Sequence, residues 1–239
     1  EQVLSQLLHT LTTQLDNKWD VLLLESLQHN SSTYDTLSKI TDNSSWQVRA
    51  SQQDVSPVIT LPATWEEYFT TVSTTQQKHF TRLLKTIGAE DEITYRTITE
   101  SDEISAAMES FIQLHKASGT EKAEFWTPHR EAFFIELAND LAPEKLLKIV
   151  FLDVNEDPAA SLLIFEWNNQ FLLYNSGFNA YRYGYLGVGN AIILHTIREA
   201  ISLKRDRYDF MRGDESYKFL FGSVAEPVIN LTVTKVDGS

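Results

Sequence analysis

The chain has 239 residues, 42% of them hydrophobic, with 33 acidic and 20 basic side chains for a formal charge of −13. That much apolar material excludes a disordered tail, and the acidic balance argues against nucleic-acid partners, which need a surplus of Lys and Arg to release counterions. The absence of cysteine excludes disulfides, thiolate metal sites and a cysteine nucleophile in this chain, and fits a reducing, cytoplasmic compartment.

Val3, Leu4, Leu7, Leu8, Leu11 and Leu15 recur at helical spacing and predict a helix to about residue 14. Glu1 lies inside this pattern and no signal peptide precedes it, so a fragment lacking its natural N-terminus is expected. Trp19 to Leu24 is a short apolar run of the kind found in buried strands. A helix over 31–40 and extended stretches at 46–50 and 57–61 follow. Thr64 reads as the N-cap of one long helix from Trp65 to about Ile87, stopped by Gly88. A strand at 93–98 and helices at 101–116 and 128–141 come next, separated by a loop over 119–127 that carries Phe125 and Trp126. Residues 147–154, 159–167 and 171–174 are strands joined by Asn155-Glu156-Asp157-Pro158 and Asn168-Asn169-Gln170, which is turn chemistry. A glycine-containing loop, a helix from Asn190 to about Leu203 and a strand at 207–211 complete a βαβ unit with parallel strands. A short helix at 216–221 and a strand at 228–236 close the chain. No apolar run approaches the roughly 18–20 residues of a membrane span. The fold class is α/β: a mixed sheet with an antiparallel meander followed by a βαβ unit.

The order helix, strand, short helix, strand at 1–61 recurs at 190–236, and at a fixed offset Lys18-Trp19-Asp20-Val21 falls on Arg207-Tyr208-Asp209-Phe210. Residues 1–56 therefore read as the closing half of an earlier copy of the module, and 57–239 as a complete copy.

Six of the nine glycines lie between Gly177 and Gly222, with seven Lys or Arg and five acidic side chains, so that stretch is about +2 in a chain of −13. A phosphorylated ligand would be tolerated there; turns and solvated arginines explain the same composition. Leu186-Gly187-Val188-Gly189-Asn190 stands where a strand hands over to a helix N-terminus, which favours an anion. The two glycines would let the backbone approach a pyrophosphate; an ordinary tight loop capped by Asn190 is the alternative. Arg212-Gly213-Asp214-Glu215-Ser216-Tyr217-Lys218 follows the 207–211 strand, at the carboxyl end where ligands bind in open α/β sheets. Asp214 could accept a proton, Tyr217 donate one, and Arg212 or Lys218 hold an anion; an ion pair and a helix cap would use the same residues. Asp209 reads as structural, bonded to a neighbouring loop. His115 and Trp126 could line the acceptor side. No spacing of His, Asp and Glu makes a metal site.

Tyr174-Asn175-Ser176-Gly177-Phe178, Gly187-Val188-Gly189, and above all Asp209-Phe210-Met211-Arg212-Gly213-Asp214-Glu215-Ser216-Tyr217-Lys218 with Phe221-Gly222 resemble the BioF-like acetyltransferase domain over residues 57–225. This is the CelD-type, cellulose-biosynthesis-associated branch of the GNAT superfamily, related to FemAB-like aminoacyl transferases. The resemblance implies a GNAT-like sheet, preceded here by a partial second GNAT-like module. It also implies a cytoplasmic bacterial enzyme that moves an acyl group from acetyl-CoA or another acyl-CoA, without a metal, to an amine. The acceptor would be a sugar, peptide or small metabolite, as in envelope or exopolysaccharide synthesis. A backbone N–H near Leu173 or Tyr174 would polarise the thioester. Leu186, Gly187, Val188, Gly189 and Asn190 would hold the pyrophosphate, with Arg182 partly replacing the Gln or Arg that opens such loops. Tyr217 would be the general acid, Asp214 the base, and Lys218 would orient the base or the acceptor. Two alternatives remain: a FemAB-like aminoacyl transferase, opposed by the acidic balance and the lack of a coiled helical arm, and a non-catalytic GNAT-fold binding module, opposed by the intact 212–218 cluster.

Overall fold

The computed structural model describes residues 2–14, 18–39, 46–89 and 92–235. In chain order the elements are α1 (Gln2–Thr13), β1 (Val21–Gln28), α2 (Ser32–Lys39), β2 (Trp46–Thr60), α3 (Trp65–Thr71), α4 (Thr74–Gly88), β3 (Ile93–Ile98), α5 (Ile104–Ala117), α6 (Thr120–Phe125), α7 (Pro128–Leu141), β4 (Leu147–Val154), β5 (Asp157–Trp167), β6 (Gln170–Phe178), α8 (Ala180–Tyr183), a 3-10 turn (Gly184–Leu186), α9 (Val188–Ser202), β7 (Arg207–Asp209), α10 (Ser216–Phe219) and β8 (Val224–Lys235). The fold is mixed α/β with mostly antiparallel strands. The chain divides into two compact units: Glu1–Pro57 with Arg212–Glu215 and Val224–Ser239, and Val58–Met211 with Ser216–Ser223.

The larger unit is built on the order β7-β6-β5-β4-β3, with residues 58–60 of β2 antiparallel to β7. The meander turns at Asn155-Glu156 and Asn168-Asn169, where all four residues have positive φ (52°, 62°, 49° and 59°). Such two-residue turns match the right-handed twist of the strands they join. β4 is buried along its whole length. Val150, Leu152 and Val154 join a core that includes residues of α3, α4 and α9, while Ile149 and Phe151 join one built on α5 and α7. The β4 charges are paired, as burial requires. Lys148 meets Glu166 at 2.7 Å and Glu199 at 2.8 Å, and Asp153 takes the Arg96 guanidinium.

The smaller unit pairs β1 antiparallel with β8, from Val21↔Thr234 to Gln28↔Val228, with an irregularity between Leu24 and Leu27 where Ser26 takes φ 60°. Leu22, Leu24 and Leu27 pack around Leu231 with Leu11, Tyr34 and Val48. Val21 and Leu23 are more than half exposed, so the strand expected to be buried has one open face.

Several expected elements are redrawn. The long helix from Trp65 is two helices, because Val72 is extended (ψ 154°) and Ser73 caps a new start, its hydroxyl accepting from the Gln76 N–H. The 119–127 loop contains α6, and the two extended stretches between 46 and 61 are the single strand β2. β7 stops at Asp209 instead of Met211, and the fixed-offset match puts Lys18–Asp20, which precede β1, onto it. Leu15, Ile40 and Val236 lie outside the described residues.

The C-terminal end of α5 lies directly on β6 at Gly177, where a Cβ would sit 2.5 Å from the His115 backbone nitrogen. Gly177→Ala is expected to cost about 1–3 kcal/mol, the range of overpacking against a backbone that must shift, read as a lower urea midpoint at unchanged slope.

Candidate functional site

β6 and β7 pair in parallel at Gln170↔Arg207, Phe171↔Tyr208 and Leu172↔Asp209 and no further. The buried Asp209 carboxylate accepts the Met211 N–H at 2.7 Å, and Met211 takes φ 57°, which turns the chain off the ladder. Asp209 thus has the structural role its sequence position suggested. β6 continues against β5, with one extra residue, Tyr174, between the pairs Ile164↔Leu173 and Leu163↔Asn175. A bulge bends its strand and re-aims the backbone. Leu173 and Tyr174, the expected thioester contacts, are therefore where β6 is released from β7. Leu173 is buried, and the Tyr174 ring leans on Phe134 and Phe165, which pushes its hydroxyl pKa up by burial.

Beyond β6, the Asn179 side chain accepts the Arg182 N–H (3.0 Å) to start α8. Gly187 is left-handed (φ 67°) and is the N-cap of α9, so Asn190 lies in the first helical turn and is not the cap. A Cβ on Gly187 would meet Leu83 Cδ1 at 2.9 Å, and one on Gly189 would meet the Phe178 ring at 3.6 Å. At both glycines the Cβ direction is toward protein, tight at Gly187 and in ordinary contact at Gly189. What suits an anion is the start of α9, which carries no acidic side chain; the Asn190 and Ala191 N–H groups donate to the Gly187 carbonyl at 3.1 Å, so those of Val188 and Gly189 are the ones a helix start leaves to a ligand. Leu186 and Val188 are buried and anchor that turn.

Arg182, the expected phosphate partner, is paired with Asp157 and lies 5.1 Å over the Tyr183 ring. Arg205 is likewise taken by Glu166. Two arginines of the locally positive stretch thus meet carboxylates supplied from outside it.

The Arg212–Lys218 cluster is divided between the two units. Arg212 donates to Ser26 Oγ at 3.3 Å, Gly213 N donates to Val55 O at 2.9 Å, and Asp214 is exposed; all belong to the smaller unit. Tyr217 and Lys218 belong to the larger one. Tyr217 is half-buried against its core, and Lys218 is buried with its ammonium donating to the Met211 carbonyl oxygen at 3.2 Å.

His115 and Trp126 are brought together, but inside the core. Trp126 Nε1 donates to His115 Nδ1 at 2.9 Å among Phe111, Phe125 and Phe134. The proton of the neutral ring is thereby assigned to the buried Nε2. Burial pushes the His115 pKa down to about 4. Among the described residues no group of His, Asp and Glu is arranged to hold a metal, and no helix is long and apolar enough to cross a membrane. Sequence reasoning missed Asp157, a turn residue whose only local signal is its place after Asn155-Glu156.

Gly187→Ala should lose about 1–2 kcal/mol through its left-handed backbone, measured by chemical unfolding. For His115 the folded pKa lies below the ordinary value near 6.5, so the native state binds fewer protons between those limits. Its contribution is complete above about pH 6.5 and is lost as pH falls through about 4, a change on the order of 3 kcal/mol. An NMR titration of His115 together with urea midpoints from pH 7 to pH 4 checks this.

A family model described as an acetyltransferase (GNAT) domain matches residues 75–219. No curated protein matches the chain. Among solved structures, FemX superposes with a TM-score of 0.69 at 11% identity, covering 99% of this chain and 77% of that one. A conserved protein of unknown function from Bacteroides thetaiotaomicron gives 0.62 at 14% identity, with 97% and 75% covered. L-PGS from Bacillus licheniformis gives 0.61 at 10% identity, with 99% and 73% covered.

Proposed function

Since the chain belongs to the GNAT acetyltransferase family, we propose that its larger unit transfers an acyl group from acyl-CoA to an amine of a sugar, peptide or small metabolite. The observation that carries this is the parting of β6 from β7 after three pairs, with the Tyr174 bulge at the point of release. The described residues fit the donor: the first turn of α9 offers N–H groups without a competing carboxylate. Bound there, acyl-CoA supplies a thioester carbonyl activated toward an amine.

In this reading the amides of Val188 and Gly189 bind phosphate oxygens, and Leu186 keeps the turn seated in the core. The backbone N–H of Leu173 or Tyr174 polarises the carbonyl oxygen. The Tyr217 hydroxyl gives its proton to the departing sulfur, while the proton of the attacking amine passes to solvent. Lys218 is a positioning residue: its bond to the Met211 carbonyl holds the turn that ends β7. Asp214 and Arg212 lie in the other unit and take no part in this proposal. The His115–Trp126 pair supports β6 from within the core and does not contact the acceptor.

We assign the chain to the BioF-like, CelD-type branch on the 209–218 motif. We also read residues 1–56 as the closing half of an earlier module. In support, the order α1-β1-α2-β2 recurs as α9-β7-α10-β8, and β1 pairs antiparallel with β8. The second reading, an aminoacyl donor, rests on the FemAB-like sequence resemblance.

Calorimetric titration with CoA, acetyl-CoA and a longer acyl-CoA separates the two: saturable binding is expected for the first, and its absence for all three would shift the reading to another carrier. Tyr217→Phe is expected to lower kcat about 10²-fold, the scale of general acid catalysis, with acetyl-CoA affinity unchanged. An unaltered kcat would reduce Tyr217 to a packing residue.

A further inference from the structure

We propose that Asp157 is a built-in competitor for the donor's phosphate: it holds Arg182 while the loop is empty and yields it when a phosphate arrives. The inference rests on the acyl-CoA reading above. Arg182 is the only Lys or Arg between Gln170 and Ile197, so it is the one cationic side chain that segment can offer. Its backbone is fixed by the Asn179 cap at the start of α8, five residues before the N-cap of α9. Asp157 is placed by the Asn155-Glu156 turn as the first residue of β5, paired with Val154. One oxygen, Oδ2, accepts from both Arg182 Nη1 and the Tyr183 hydroxyl, the latter at 2.6 Å.

Those two bonds differ in kind. The Arg182 and Asp157 side chains are 62% and 43% exposed, so their attraction is screened by water and salt. Tyr183 is buried, and its hydroxyl keeps the carboxylate in place after the arginine leaves. A phosphate offers the guanidinium a charged, two-pronged partner that the single shared oxygen does not. The arginine therefore moves to a donor bearing phosphate and stays on Asp157 for one lacking it, and the donor's apparent affinity is reduced by the fraction of time Arg182 is engaged.

The test titrates CoA and, as a probe without the pyrophosphate, pantetheine into the full chain and its Asp157→Asn, Arg182→Gln and double variants. Asparagine keeps an acceptor for the Tyr183 hydroxyl, and Asp157→Ser serves as a second variant if the first melts early. Asp157→Asn is expected to bind CoA about three- to ten-fold more tightly, the gain from freeing an engaged group. Arg182→Gln should bind CoA more weakly, the double variant should match Arg182→Gln because the two act through one pair, and pantetheine should be indifferent to all three. If Arg182→Gln weakens CoA binding but Asp157→Asn leaves it unchanged, the competitor role fails and the donor reading stands. Indifference of CoA to both single variants also overturns the inference. A wild-type chain that binds no CoA removes both.

Discussion

Three residue pairs join β6 to β7, and the rest of the larger unit is arranged around the fact that there are no more. The limit is set at Asp209, whose carboxylate is satisfied by the Met211 N–H two residues on and cannot be so satisfied in a continuing strand. β6 meanwhile cannot follow β7, since it stays in register with β5 as far as Phe178 and absorbs an extra residue at Tyr174 to do so. Past Leu172, β6 is paired on its β5 side, with the β7 ladder ended. Gly177 then lets α5 close over the far end of β6, and Gly187 lets α9 start within contact distance of α4 at Leu83.

Electrostatics in this acidic chain are settled pair by pair. Lys148, Arg96, Arg205 and Arg182 each meet a carboxylate from another element, and Lys148 also lies 4.3 Å over the Phe171 ring. Buried members of these pairs are tied to the core, because removing one partner would leave a charge without solvent. The exposed Arg182–Asp157 pair has no such tie, and that is what makes it exchangeable. A count of charges along a segment cannot distinguish the two situations.

Much of the fold was legible because it is encoded by neighbours. The asparagine-led turns gave the meander, Thr64 gave a helix start, and the apolar spacing of α9 between two strands gave the parallel crossover. Where expectation and structure part, a local signal was often present but unweighted: Ser73 and Gln76 have the spacing of a capping box and divide what looked like one helix. Pro57, read as the start of a separate stretch, sits inside the continuous strand β2.

The sequence by itself determined the α/β class, the meander and the βαβ unit. All of these depend on residues within a few positions of one another, through turn chemistry, capping and periodicity. Tertiary structure alone decided which groups are available for chemistry. Arg182 is engaged by a carboxylate 25 residues away, His115 and Trp126 satisfy each other in the core, the two loop glycines turn toward protein, and the 212–218 cluster is divided between two units. Availability depends on what a side chain meets in space, and those contacts come from segments whose approach no local pattern specifies.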